Sequence, residues 1–150
     1  MNTKQVTQTV KNQGQLPAEL QAFFDGQATW KSNGKEWTRE SLQARFDAMP
    51  VGAPAYRHGD LVYQKVQRVH PEAKMIADHI MVRSKVTGHK HGVTGAATVW
   101  MHGERTYVEF TGPAAIHHHV EHRSGPAAIG VCEVVVEREG RSDAFRRQVD

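Results

Sequence analysis

Two positions in this sequence carry an ionisable side chain inside an apolar strand pattern. Alternate residues from Ile76 read Ile76, Asp78, Ile80, Val82, Ser84 and Val86, and strand side chains alternate between faces. Asp78 therefore shares the apolar face. Desolvation there raises a carboxyl pKa unless the group is paired or hydrogen-bonded, which suits a general acid or base near neutral pH. The competing reading is a partly wet residue near the strand's entry, bonded to backbone or to an arginine. His118 is the second position. In the run Ile116 to His122, the residues Ile116, His118, Val120 and His122 share one face, and His117, His119 and Glu121 share the other. The apolar partners mark His118 as the inward histidine, so Asp78 and His118 are the candidate catalytic pair.

The same histidine run invites a metal reading. A metal centre needs three or four converging ligands. One strand supplies at most two on a face, about 7 Å apart, so His89 and His91 would have to add ligands from a loop. That loop resembles the start of a cupin metal motif, with Gly92, Val93, Thr94 and Gly95 standing where the motif's glutamate belongs. Solvated histidines, or one pocket histidine, account for the run without a metal, and no metal or other cofactor is expected. No glycine-rich phosphate loop follows a strand, and neither Ser84 nor Ser124 stands in a nucleophile elbow. Cys132, the one cysteine, alternates with Val131 and Glu133 and reads as a core thiol. Trp30, Tyr56 and Trp100 are the candidate ligand-binding walls, with core packing as their ordinary alternative.

Helical spacing occupies the first third of the chain. Leu16, Leu20, Phe23 and Phe24 form one stripe, Pro17 suits the first helical position, and Gly26 suits a C-terminal cap. This predicts a helix near 17–25. A short strand then runs to an Asn33-Gly34 hairpin turn. A second helix is expected over 38–49, with Thr38 as N-cap, Glu40 in the first turn, and Leu42, Phe46 and Met49 on one face. After Pro50 the pattern changes. Residues 51–60 read as a loop. Strands are expected over 61–69, 74–86, 96–100, 106–110, 115–122 and 127–137, with a turn at His70-Pro71-Glu72-Ala73, a loop over 87–95 and a hairpin at His102-Gly103-Glu104.

With 150 residues, 39% hydrophobic and 23% charged, the chain is expected to form one domain over 1–150, with polar tails at about 1–15 and 140–150. Net charge is +3, and the basic residues are scattered apart from Arg138, Arg141, Arg146 and Arg147. Nucleic-acid binding calls for a denser basic face and is not expected. No stretch is long and apolar enough to span a membrane, no signal-peptide pattern opens the chain, and a cytoplasmic location is expected. The valine-rich run Val131 to Val136 exceeds what two helices can cover, which points to a homodimer through the sheet.

The stretch from Leu20 to Pro50, LQAFFDGQATWKSNGKEWTRESLQARFDAMP, resembles the front half of a nuclear transport factor 2-like domain, the superfamily of SnoaL-like cyclases, ketosteroid isomerases and scytalone dehydratase. The likeness rests on a helix, an "AtW"-type strand and a second helix opening on Thr-Arg-Glu. WMHGERTYVEF is similar to a late hairpin of that group, so the resemblance covers about residues 16–112. It implies an α+β fold: short N-terminal helices packed on a curved antiparallel β-sheet, a cone-like barrel with a pocket. It also implies a small hydrophobic ligand and, commonly, a homodimer. Ser32 stands nearest to the isomerase base and Ala96 nearest to the oxyanion-hole acid, which disfavours isomerase chemistry. Three functions remain open: a cofactor-free lyase, cyclase or isomerase working through Asp78 and His118; a non-catalytic ligand-binding or dimerising module; and a histidine-dependent, cupin-like metal protein.

Overall fold

The computed structural model describes residues 16–58, 60–76, 80–83, 90–118 and 124–136. Helix α1, Ala18–Phe24, buries Leu20, Phe23 and Phe24. Its two phenyl rings meet edge to face at 5.1 Å, a favoured aromatic geometry. Strands β1 (Trp30–Ser32) and β2 (Lys35–Trp37) form a hairpin that sets Trp30 opposite Trp37. Asn33 and Gly34 both adopt positive φ, 52° and 75°, as a tight hairpin turn of right-handed strand twist requires.

Helix α2, Arg39–Ala48, starts at a capping box. The Ser41 amide donates to Thr38 Oγ1 at 3.0 Å, and the Thr38 amide donates to Ser41 Oγ at 2.9 Å. These bonds satisfy donors that the first helical turn leaves open. The other end is closed from outside the helix. Lys65 donates through Nζ to the carbonyls of Phe46 and Met49, each at 2.8 Å, and of Asp47 at 3.3 Å. A cation is favoured there by the helix dipole.

The remaining strands are β3 (Pro54–His58), β4 (Leu61–Val66), β5 (Lys74–Ile76), β6 (Ile80–Arg83), β7 (Lys90–His102), β8 (Arg105–His118), β9 (Gly125–Ala127) and β10 (Gly130–Val136). They form one antiparallel sheet in the order β3-β4-β10-β8-β7-β5, with β6 also pairing β7 and β9 also pairing β8. The core lies between this sheet and the two helices. Leu20, Phe23, Leu61, Tyr63, Val108, Phe110 and Cys132 are essentially inaccessible there. Burial pushes the Cys132 thiol up to about 12, so it is an inert packing group at neutral pH.

This architecture corrects the expected fold class. The described chain is mostly β-sheet with two short helices, and the sheet does not close into a barrel or cone. Closure would require the outer strands to pair, and β3 and β5 instead end the strand order. Two expected loops are strands: 54–58 pairs with β4, and 91–95 pairs with the end of β8. The long β7–β8 hairpin stays continuous because it bends at a register shift between Gly95 and Ala97. Gly95 adopts φ +85°, and a Cβ there would collide with the Pro113 carbonyl oxygen. Glycine therefore belongs to the bend rather than to a loop. The strand expected over 74–86 appears as β5 and β6. The valine run lies in β10, at the sheet's interior between β4 and β8, where Cys132 and Val134 are buried and Val131, Val135 and Val136 are half-buried.

Candidate functional site

A cleft of about 880 Å³ lies between the β1–β2 hairpin, α2 and the edge strand β3. That is an ordinary size for a small-molecule site. Its aromatic wall is Trp30, Trp37 and Tyr56, and its charged wall is Lys31, Lys35, Arg45 and Arg57. His58 joins them, and Ile116, Gly125 and Pro126 reach it from the far ends of β8 and β9. No aspartate or glutamate lines it among the described residues.

Each wall is held by a local cause. Trp37 lies beneath two cations: Lys35 Nζ is 5.5 Å from the ring centroid and the Arg45 guanidinium 5.9 Å, distances at which the ring quadrupole attracts a cation. Arg45 also donates to the Ala55 carbonyl at 3.0 Å, which ties α2 to β3. Lys31 meets Glu36 at 3.9 Å, with both side chains well exposed, a contact that solvent screens almost fully. Tyr56 stacks on Phe46, with ring centroids 6.4 Å apart and planes 11° from parallel. Its hydroxyl accepts the Ala128 amide at 2.8 Å. Burial raises the Tyr56 phenol well above its ordinary range, so it stays protonated and serves as a wall and a strut.

The residues singled out from the sequence separate here. Trp30 and Tyr56 line the cleft. Trp100 does not; it sits in β7 opposite Met75 and Tyr107, and its indole Nε1 is buried with no hydrogen-bond partner among the described residues. Asp78 lies outside the described residues. His118 stands near the end of β8 opposite His91, described through its backbone. The neighbouring His117 Nδ1 lies 3.0 Å from Ser124 Oγ.

Lys35, Arg45, Arg57 and His58 are cleft residues that the sequence reading missed. They come from β2, α2 and β3, which no local pattern brings together. One signal was present: Ala55-Tyr56-Arg57-His58 ends in two basic residues just before an apolar strand. A second group also went unremarked. His70, Glu72 and His102 place one potential ligand atom each within 4.8 Å of one another.

Fold and site thus define an open antiparallel sheet, packed on two short helices, with a cationic, aromatic cleft between its edge strand β3, the β1–β2 hairpin and α2. Residues 57–137 match the model of a domain of unknown function (DUF8820), more than half of the chain, and the chain belongs to that family. The matched stretch takes in the sheet from Arg57 onward and leaves out the β1–β2 hairpin and α2, which complete the cleft. No curated protein and no solved structure matches the chain. None of the described helices is long and apolar enough to cross a membrane.

Proposed function

We propose that this protein binds a small organic anion with an aromatic or flat apolar body in the cleft between β1–β2, α2 and β3. The observation that carries this reading is the one-sided charge of the wall: Lys31, Lys35, Arg45 and Arg57 line it, and no carboxylate does among the described residues. Cations gathered in a concave surface focus a field that attracts an anion, and arginine suits a carboxylate or phosphate group in particular. Trp30 and Tyr56 supply rigid apolar area for the rest of the ligand. A hydrophobic body, as the family resemblance implies, matches the aromatic wall; an acid group on that ligand complements the charge of the cationic wall.

Tryptophan fluorescence tests the reading, because Trp30 and Trp37 both border the cleft. Aromatic carboxylates and aryl phosphates are titrated against their neutral esters and amides. At least one anion is expected to quench saturably, with affinity falling as salt rises. Neutral analogues that bind as tightly as the anions would defeat the proposal, and so would a panel in which nothing binds.

A further inference from the structure

A cluster that shares no residue with the cleft lies at another part of the sheet. His70 and Glu72 belong to the turn between β4 and β5, a turn closed by the Ala73 amide donating to the His70 carbonyl at 2.9 Å. His102 ends β7. Antiparallel pairing of β5 with β7, Lys74 opposite Met101, draws that turn against the end of β7. Two imidazoles and a carboxylate therefore meet from segments about thirty residues apart in sequence.

We propose that His70, Glu72 and His102 form a site for a divalent transition-metal ion of the zinc class. The geometry is close to what such an ion needs. His102 Nε2 and Glu72 Oε1 are 3.7 Å apart. In a tetrahedral site with bonds of about 2.1 Å, neighbouring ligand atoms stand about 3.4 Å apart. The third ligand lies within 4.8 Å of the other two, so closure asks each side chain for a movement well under its own length. Both histidines are half-buried and Glu72 is exposed, which leaves the side chains room to turn and keeps an outward position open for water. Imidazole nitrogen with one carboxylate oxygen suits zinc, cobalt or nickel over magnesium or calcium.

The two imidazole rings are stacked, centroids 3.7 Å apart and planes 9° from parallel. Parallel rings aim their lone pairs side by side, so loading an ion requires the stack to splay. One further bond must change. His70 Nδ1 accepts the backbone amide of Glu72 at 3.0 Å, which in the neutral ring leaves the proton on Nε2. An ion can take the Nδ1 lone pair and displace the amide, or take Nε2 after the proton moves to Nδ1. Both routes cost the Glu72 amide its acceptor, so that amide reports loading.

The test titrates the full chain, freed of metal by chelator, with Zn²⁺ by calorimetry and with Co²⁺ by visible absorption. Amide spectra are recorded in parallel. One equivalent of micromolar or tighter affinity is expected, with a four-coordinate Co²⁺ spectrum and a shift of the Glu72 amide. His102→Gln and Glu72→Gln should each weaken that equivalent at least tenfold, with the far-UV spectrum and melting temperature of the metal-free protein retained. A second variant, His117→Gln/His118→Gln/His119→Gln, should leave it in place. The proposal is overturned if no equivalent binds, if the Glu72 amide stays put at saturation, or if binding survives His102→Gln and disappears in the triple variant. That last result would assign the ion to the histidine run of β8.

Discussion

Helix α2 has two flanks, and they are finished differently. Its C-terminal end and the flank facing β10 are sealed. Lys65 closes three of its last carbonyls, and Gln43 exchanges a reciprocal pair of hydrogen bonds with the Ile129 backbone at 2.8 and 2.9 Å. The Phe46 ring occupies the space a side chain at residue 130 would need. The other flank, facing β1–β2 and β3, is open: Arg45, Lys35 and Arg57 converge on a cleft without a carboxylate among the described residues. A lysine on the sealed flank is consumed by backbone carbonyls. On the open flank lysines rest on an aromatic face or on a screened partner and keep donors to spare. Net charge hides that distinction; the partners of each cation reveal it.

The comparison can be broken most directly at Gly130, which adopts φ +150° against the Phe46 ring. Gly130→Val meets both backbone strain and a filled core, and should cost about 2–4 kcal/mol, read as a lower urea midpoint at unchanged slope. A loss below about 1 kcal/mol would mean that α2 is not seated on β10 as described. Next in size is Lys65→Met, which keeps an apolar stem and removes three donors at the helix end. A loss of about 1.5–3 kcal/mol is expected, since hydrogen bonds from a charged donor are the costly ones to remove; ligand binding in the cleft should not change.

Tyr56 belongs to both flanks and sharpens the boundary. Tyr56→Phe keeps the cleft wall and leaves the Ala128 amide without its acceptor, so stability should fall by about 1–2 kcal/mol. Ligand affinity should stay within twofold of wild type. A large affinity loss with stability unchanged would move the hydroxyl from strut to ligand contact. The smallest effect on folding is expected for Lys35→Met, at the open rim. Stability should change by under about 0.5 kcal/mol, whereas an anion that quenches Trp30 should bind about two- to fivefold more weakly, as for loss of one exposed ion pair. Equal effects of Lys35→Met and Lys65→Met on stability would erase the distinction between the flanks.

Legibility in the sequence follows the distance over which each feature is determined. Helix α2, the Asn33-Gly34 turn, the turn at His70 and the hairpin at Gly103 each rest on neighbours a few residues apart, and each was readable. Strand β3 and the first half of β7 were not: Pro54 and the neighbouring glycines gave β3 the composition of a loop although its partner β4 follows directly, and the start of β7 pairs with the far end of β8, more than twenty residues away. Glycine at 95 looks like loop composition until the bend in the hairpin explains it. The fold class failed for a related reason. Curvature toward closure cannot be inferred from strand count, and the terminal strands of this sheet do not meet. For the site, aromatic residues beside strand patterns pointed to Trp30 and Tyr56, which line the cleft, and also to Trp100, which lies opposite Tyr107 instead. The cations were illegible because they come from β1, β2, α2 and β3. The His70, Glu72 and His102 group required knowing that β5 pairs with β7.

The pairing of β10 with β4 carries a consequence for the time course of assembly. The β7–β8 ribbon can zip from the turn at Gly103, bringing near neighbours together at every step. The β4–β10 ladder sets Val66 opposite Val131, so a long stretch of chain must be gathered before its first rung forms. Closing such a loop is entropically unfavourable until its contacts accumulate. The ribbon is therefore expected to form early and β10 to insert late. Conservative truncations such as Val134→Ala should then speed unfolding and spare the refolding rate, whereas Val108→Ala should slow refolding; stopped-flow chevrons would show the inverse pattern if β10 docked first.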